Sequence, residues 1–173
     1  ELLGSREAIA EAKGELIRCL PENSVAILNE DDPYVKAMDS LAKGKTITYG
    51  IERNATCIGS HLRYKKDGIK FTCKCYDEVF DIFLPMIGEH NVYDALAAIV
   101  AGRVLGIKSN TIRKGLSEFT GTPMRQEIVP FEDIVILNDA YNANPSSMAE
   151  AIKALGQLEG KRKIAMLGDM LEL

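Results

Sequence analysis

Residues 24–50 read SVAILNEDDPYVKAMDSLAKGKTITYG, and this stretch decides the fold class. Ser24–Leu28 is a short apolar run that ends at Asn29, as a buried strand does. Asp31 and Asp32 before Pro33 form a helix start, with Asp as cap and Pro at the first helical position. The spacing predicts a helix to about Ala42, then a strand at Lys45–Tyr49 closed by Gly50. A strand–helix–strand connection of this length implies parallel pairing, hence an α/β fold.

Upstream, Ser5–Leu20 reads as a helix capped by Ser5, with an apolar arc of Ile9, Ala12, Leu16, Ile17 and Leu20. Downstream the period changes to two. Cys57–Leu84 alternates apolar and polar residues, turns at Lys66-Asp67-Gly68 and ends at Pro85, which predicts an antiparallel patch appended to the parallel part. Asn91–Leu105 is apolar nearly all round and predicts a buried helix. A helix at Ser109–Ser117 and a turn-rich connector, Thr120–Arg125, follow. Beyond it, a strand at Ile134–Leu137, a polar loop at Asn138–Pro145, a helix at Ser147–Leu158 with a Ser147/Glu150 capping box, and a strand at Ile164–Leu167 predict a second βαβ unit.

The 173 residues carry 21 Lys+Arg and 25 Asp+Glu, a formal charge of −4, and 46% hydrophobic residues. These are globular values that exclude disorder, and a balanced surface lacks the basic footprint of a nucleic-acid binder. No apolar run approaches the roughly 18 residues of a spanning helix, so no membrane insertion is expected. Residues 1–125 hold 17 basic and 17 acidic groups, and residues 126–173 hold 4 and 8, which places a second unit in the last part of the chain. Glu1 and Leu173 read as cut ends of a longer protein. Cys19, Cys57, Cys73 and Cys75 form no CxxC pair and no disulfide ladder, so a reducing cytoplasm is expected. Cys73 and Cys75 share one strand face, as a buried thiol pair or as a soft-metal pair.

Three features point to chemistry. Lys13 falls inside the apolar arc of its helix, either as a snorkelling stem or as a lysine in a low-dielectric site. Asn91, Ala95, Ala98 and Gly102 form one stripe on the buried helix, with Asp94 one turn on. Small residues admit a neighbouring helix or a flat ligand, and Asn91 is either a helix cap or a reader of a purine edge. The loop after strand 134–137 holds Asp139, Tyr141, Asn142 and Asn144, dense for a connector and placed where α/β folds bind ligands; Gly168, Asp169 and Glu172 lie beyond the next strand. Arg125 is a solvated linker residue or reaches a phosphate across a cleft. His61 reads as a surface residue. Phosphate-loop, GxGxxG, GxSxG and HExxH motifs are absent. Composition and pattern therefore reach a two-part α/β protein with a nucleotide or small-ligand cleft between the parts.

The segments GSREAIAEAKGEL (4–16), LPENSVAILNEDDP (20–33), GEHNVYDALAA (88–98), PMRQEI (123–128), NDAYNANPSSM (138–148) and LGDMLEL (167–173) resemble the Mur ligases, in that family's order and along the whole chain. The resemblance implies that residues 1–124 are the later part of a central parallel-sheet ATPase domain. It makes residues 125–173 the start of a Rossmann-like C-terminal domain. The phosphate loop would lie upstream. It further implies ATP and Mg²⁺ as cofactors. The implied reaction joins D-alanyl-D-alanine to UDP-N-acetylmuramoyl-tripeptide through an acyl phosphate, in cytoplasmic peptidoglycan precursor synthesis.

By resemblance Lys13 is the lysine that becomes a carbamate and helps hold Mg²⁺, and Asn91 is the adenine-binding amide. Asp94 stands where many relatives have a second Asn. Arg125 lies near the phosphates and Asp139 near the ribose, with Tyr141, Asn142, Asn144 and Asp169 toward the substrates. The alternatives are another amide ligase of the superfamily, such as an earlier stem-peptide ligase or a folylpolyglutamate synthase, and a non-catalytic nucleotide-binding module.

Overall fold

The computed structural model describes residues 4–65 and 67–170. Five strands form one mixed sheet in the order β1 (Val25–Asn29), β2 (Lys45–Gly50), β3 (Cys57–Lys65), β4 (Gly68–Cys75) and β5 (Glu78–Leu84). β1, β2 and β3 pair in parallel, while β3–β4 and β4–β5 are antiparallel. The crossover between β1 and β2 starts as its sequence requires. Asp32 caps α2 (Pro33–Ala37), its side chain accepting from the Tyr34 and Val35 amides, with Pro33 in the first turn. The helix is shorter than expected: from Met38 to Leu41 it tightens into a 3-10 turn.

β1 is covered on both faces, and its alternation divides the core. Val25 and Ile27 pack toward the cluster built on α3 (His90–Val104), whereas Ala26 and Leu28 join Ile17 and Met38 beneath α1 (Arg6–Cys19). In α3 the side chains of Val92, Leu96, Ile99 and Val100 are fully buried. Each contributes roughly 1.5–3 kcal/mol by leaving water. Gly102 lets α4 (Ser109–Ser117) approach closely, since a Cβ there would lie 2.8 Å from Ile112 Cδ1. Cys57, Cys73 and Cys75 are buried in the same core, with 3.6 Å between the sulfurs of Cys57 and Cys73. The thiols of Cys57 and Cys75 are pushed up by hydrogen bonding to neighbouring thiols and by burial. Burial of both Cys73 and Cys75 as free thiols fits the buried-thiol reading.

Four expectations are corrected. The buried stripe of α1 runs through Gly14 and Ile17, and Leu16 is 69% exposed. Gly14 is the point of closest approach, with Leu41 Cδ1 only 2.9 Å from where its Cβ would stand. Helix α5 (Pro145–Gln157) begins before Ser147: Asn144 is the cap, and Ser147 is its partner in the capping box. Residues 164–167 form no strand, and Ile164, Met166 and Leu167 are exposed. The strand before α5, β7 (Ile134–Asn138), pairs antiparallel with β6 (Glu127–Phe131), a strand the sequence reading passed over, so no second βαβ unit closes among the described residues. Finally, Glu89 rather than Asn91 occupies the cap position of α3, without a side-chain cap bond. Lys66 of the expected turn and Glu172 lie outside the described residues. Among the described residues no helix is long and apolar enough to cross a membrane.

Candidate nucleotide cleft

A cleft of about 710 Å³ lies between α3 and the loop that follows β7. It brings together seven residues singled out from the sequence: Asn91, Asp94, Arg125, Asp139, Tyr141, Asn142 and Asn144. Its floor is the first half of α3. Ala95 and Ala98 leave that floor flat, while Gly102 on the same stripe serves helix packing. Along the stripe, Gly102 therefore meets a neighbouring helix, while Ala95 and Ala98 face the open cleft. Met86, Leu116 and Phe119 add apolar wall that the sequence reading did not assign, because they come from three separate segments.

Asn91 is buried at the end of the floor. Its Nδ2 donates to Ile87 O at 2.6 Å and to His90 Nε2 at 3.0 Å. Both hydrogens of the amide are thereby spent, and Oδ1 is the group left for a ligand.

The opposite wall is a constructed turn. Arg125 N donates to Thr122 O, Tyr141 N to Met124 O and Gln126 N to Asp139 Oδ1, each at 3.1 Å. Met124 (φ 62°) and Gln126 (φ 50°) both lie in the left-handed region, an uncommon choice for residues other than glycine. The Arg125 guanidinium stands 4.1 Å from the centre of the Tyr141 ring, an exposed cation–π stack worth about 0.5–1 kcal/mol. Asn144 Oδ1 is committed to the Ser147 amide as a cap, and Asn142 Oδ1 accepts from the Ala143 amide.

Two of the residues expected at the site lie elsewhere. Lys13 and Asp169 are exposed and line no part of the cleft. His61 is exposed at a β-bulge in β3, as expected.

Several observations fit a nucleotide. The floor is flat and apolar, Asn91 offers a single acceptor, and two buried polar atoms at the cleft, His90 Nδ1 and Gln126 Oε1, have no partner among the described residues. Among the described lining residues Arg125 is the lone lysine or arginine, against Asp94, Asp139 and Glu150. The cleft therefore suits a base and ribose, and a triphosphate needs cations from beyond it. Magnesium does not fit in the same way. No group of three His, Cys, Asp or Glu side chains placed to hold a metal forms among the described residues.

Residues 1–102 match the Mur ligase middle domain, and residues 124–173 match the Mur ligase glutamate ligase domain. The chain belongs to the Mur ligase family. It is 42% identical to the UDP-N-acetylmuramoyl-tripeptide–D-alanyl-D-alanine ligase of Bacillus subtilis (strain 168), over 99% of this chain and 37% of that protein. The structure resembles the UDP-N-acetylmuramoylalanyl-D-glutamyl-2,6-diaminopimelate–D-alanyl-D-alanyl ligase from Acinetobacter baumannii, with a TM-score of 0.90 and 29% identity, covering 100% of this chain and 38% of that one. A ligase of the same kind from Thermotoga maritima, solved in complex with ADP, shares the fold with a TM-score of 0.82 at 24% identity, over 93% of this chain and 37% of that one. The chain thus spans little more than a third of the length of the relatives it matches.

Proposed function

We propose that the full-length protein is an ATP-dependent ligase that adds D-alanyl-D-alanine to UDP-N-acetylmuramoyl-tripeptide, with residues 1–124 completing its ATP-binding domain and residues 125–173 opening its C-terminal domain. The observation that carries this reading is the cleft itself, which gathers Asn91, Arg125, Asp139 and the 138–145 loop from both halves of the chain. The likeness to ligases of that specificity supports the choice of acceptor.

ATP supplies the phosphoryl group that activates the tripeptide carboxylate, and Mg²⁺, when bound, would offset the charge on its phosphates. The protein's part is positioning. Asn91 Oδ1 accepts from the exocyclic amine of adenine, Ala95 and Ala98 take the face of the ring, Asp94 borders the base, and Asp139 reaches the ribose hydroxyls. Arg125 stabilises charge on the phosphates, and its stack on Tyr141 limits the freedom it loses in doing so. Tyr141, Asn142, Asn144 and Asp169 belong to the substrate side. Settling of the C-terminal half over the floor excludes water, which protects an acyl phosphate from hydrolysis. Lys13 lies outside the cleft; as a carbamate it would offer oxygen, the donor magnesium takes.

The test follows phosphate release by the full-length protein with ATP, Mg²⁺ and UDP-muramoyl-tripeptide, with and without D-alanyl-D-alanine. Release that depends on the dipeptide and yields the pentapeptide product is expected. Release driven by a different amino acid would replace the acceptor, and none with any acceptor would leave a nucleotide-binding module. Asn91→Ala or Asp139→Ala should raise KM for ATP about tenfold, the worth of one hydrogen bond, in a protein that still folds. Lys13→Ala should lose activity that a short carboxylate restores; a variant that keeps its rate would remove Lys13 from the site.

A further inference from the structure

His90 and Gln126 take no role in the function proposed above, yet each buries a polar atom beside the cleft that has no partner among the described residues. They come from different halves of the chain. His90 opens α3, and Gln126, 91% buried, closes the connector turn. Both atoms border one small space over Gly88: the point where a Gly88 side chain would begin lies 2.9 Å from His90 Nδ1 and 3.3 Å from Gln126 Oε1.

The hydrogen bonds fix the identities of the two groups. Asn91 Nδ2 donates only, so His90 Nε2, 3.0 Å away, must accept. A neutral imidazole that accepts at Nε2 carries its proton at Nδ1. The buried Nδ1 is therefore an orphan donor, and the buried Gln126 Oε1 an orphan acceptor. They are complementary, they face the same space, and Gly88 (φ 94°) keeps that space clear of any side chain.

We infer that Gln126 and His90 are positioning residues for base recognition: unpaired as they stand, they meet when the connector moves in, where Gln126 Oε1 holds the His90 proton at Nδ1 and His90 Nε2 thereby holds the Asn91 amide with Oδ1 toward the ligand. The inference rests on the nucleotide reading above and deepens it. With both hydrogens tied to Ile87 O and His90 Nε2, Asn91 offers the amine of a 6-amino purine an acceptor and offers the O6 of a 6-oxo purine no donor. Loss of the tie to His90 frees one N–H, which a 6-oxo group can take. Loss of Gln126 Oε1 lets the imidazole proton move to Nε2, where it opposes the Asn91 amide and has the same effect. Because Gln126 belongs to the connector, discrimination between bases depends on where the C-terminal half sits.

The test is direct binding of ATP and inosine triphosphate to the full-length protein by titration calorimetry. The two nucleotides differ at position 6 and in the proton on N1. Wild type should prefer ATP. In His90→Phe and in Gln126→Met the ratio of the two dissociation constants should fall about tenfold, one hydrogen bond's worth, as ATP weakens and inosine triphosphate holds or improves. The double variant should be no worse than His90→Phe alone, since Gln126 acts through His90. A ratio unchanged in either single variant, a parallel loss for both nucleotides, or additive losses in the double variant would overturn the relay while leaving ATP binding intact. A wild type that binds neither nucleotide would overturn the relay and the ligase reading together.

Discussion

Asp31 shows how one carboxylate joins distant pieces of chain. It follows β1, yet its oxygens accept from the amides of Ile51, Glu52 and Arg53 beyond β2, and from the hydroxyl of Tyr93 on α3. Partial burial acts to raise its pKa, but the amides of Glu52, Ile51 and Arg53 and the Tyr93 hydroxyl outweigh it, and the carboxyl sits below its ordinary value. The sign of the pH effect follows. A depressed carboxyl stabilises the fold above the unfolded-state pKa, and that contribution disappears as pH falls through the lower folded-state value. Asp31→Asn should therefore be less stable than wild type at neutral pH, and the gap should narrow below about pH 4. Urea midpoints measured across the acid range check this; a gap independent of pH would show that the ionised form contributes nothing special. In the sequence Asp31 was visible only as half of a capping pair, because its partners lie about twenty and sixty residues away.

At the scale of elements, the sequence was most legible where a local signal agreed with the tertiary contacts. The Asp32–Pro33 start, the alternation of Ile69, Phe71 and Cys73 in β4 and the bounds of α4 all stand where the pattern puts them, whereas in β5 the pattern picks Val79, Asp81 and Phe83 and the structure buries Ile82 and Leu84. It misled where two local signals competed. Ser147 with Glu150 fits a capping box, but Asn144 followed by Pro145 fits one three residues earlier, and that one forms. Asn144→Ala should therefore destabilise by about 1 kcal/mol, visible as a lower melting temperature, whereas Ser147→Ala keeps the cap side chain and should cost less. Lys13 exposes a second limit. Periodicity placed it among apolar neighbours, but a glycine at position 14 draws the contact face of α1 toward itself, and no hydropathy pattern reports that. The cleft residues were legible as dense polar loops; His90 and Gln126 were not, since their significance lies in partners they lack rather than in any spacing.

At the scale of the whole molecule, the cleft depends on two halves joined by one short turn. The floor belongs to the five-stranded unit, and the opposite wall to a two-stranded ribbon and its loop. A ribbon of two strands is marginal by itself in water, so the placement of that wall relies on the turn at 122–126 and on what lies against it. Binding in the cleft should therefore tighten the turn. In the full-length protein, ATP should slow amide hydrogen exchange at residues 122–126 and 139–142 while exchange in β4 stays unchanged. Equal protection everywhere would indicate a general gain in stability rather than closure.

The left-handed conformation of Met124 has a consequence for inhibition. A compound bound between floor and wall is held only in the fraction of molecules whose halves have come together, and its apparent affinity scales with that fraction. Met124 does not line the cleft, yet its φ of 62° sets the angle at which the chain crosses from one half to the other. Replacing it by a β-branched residue, which tolerates that φ poorly, would lower the closed fraction without removing one contact to the compound. Resistance would then arise in the joint, out of sight of any inventory of contacts.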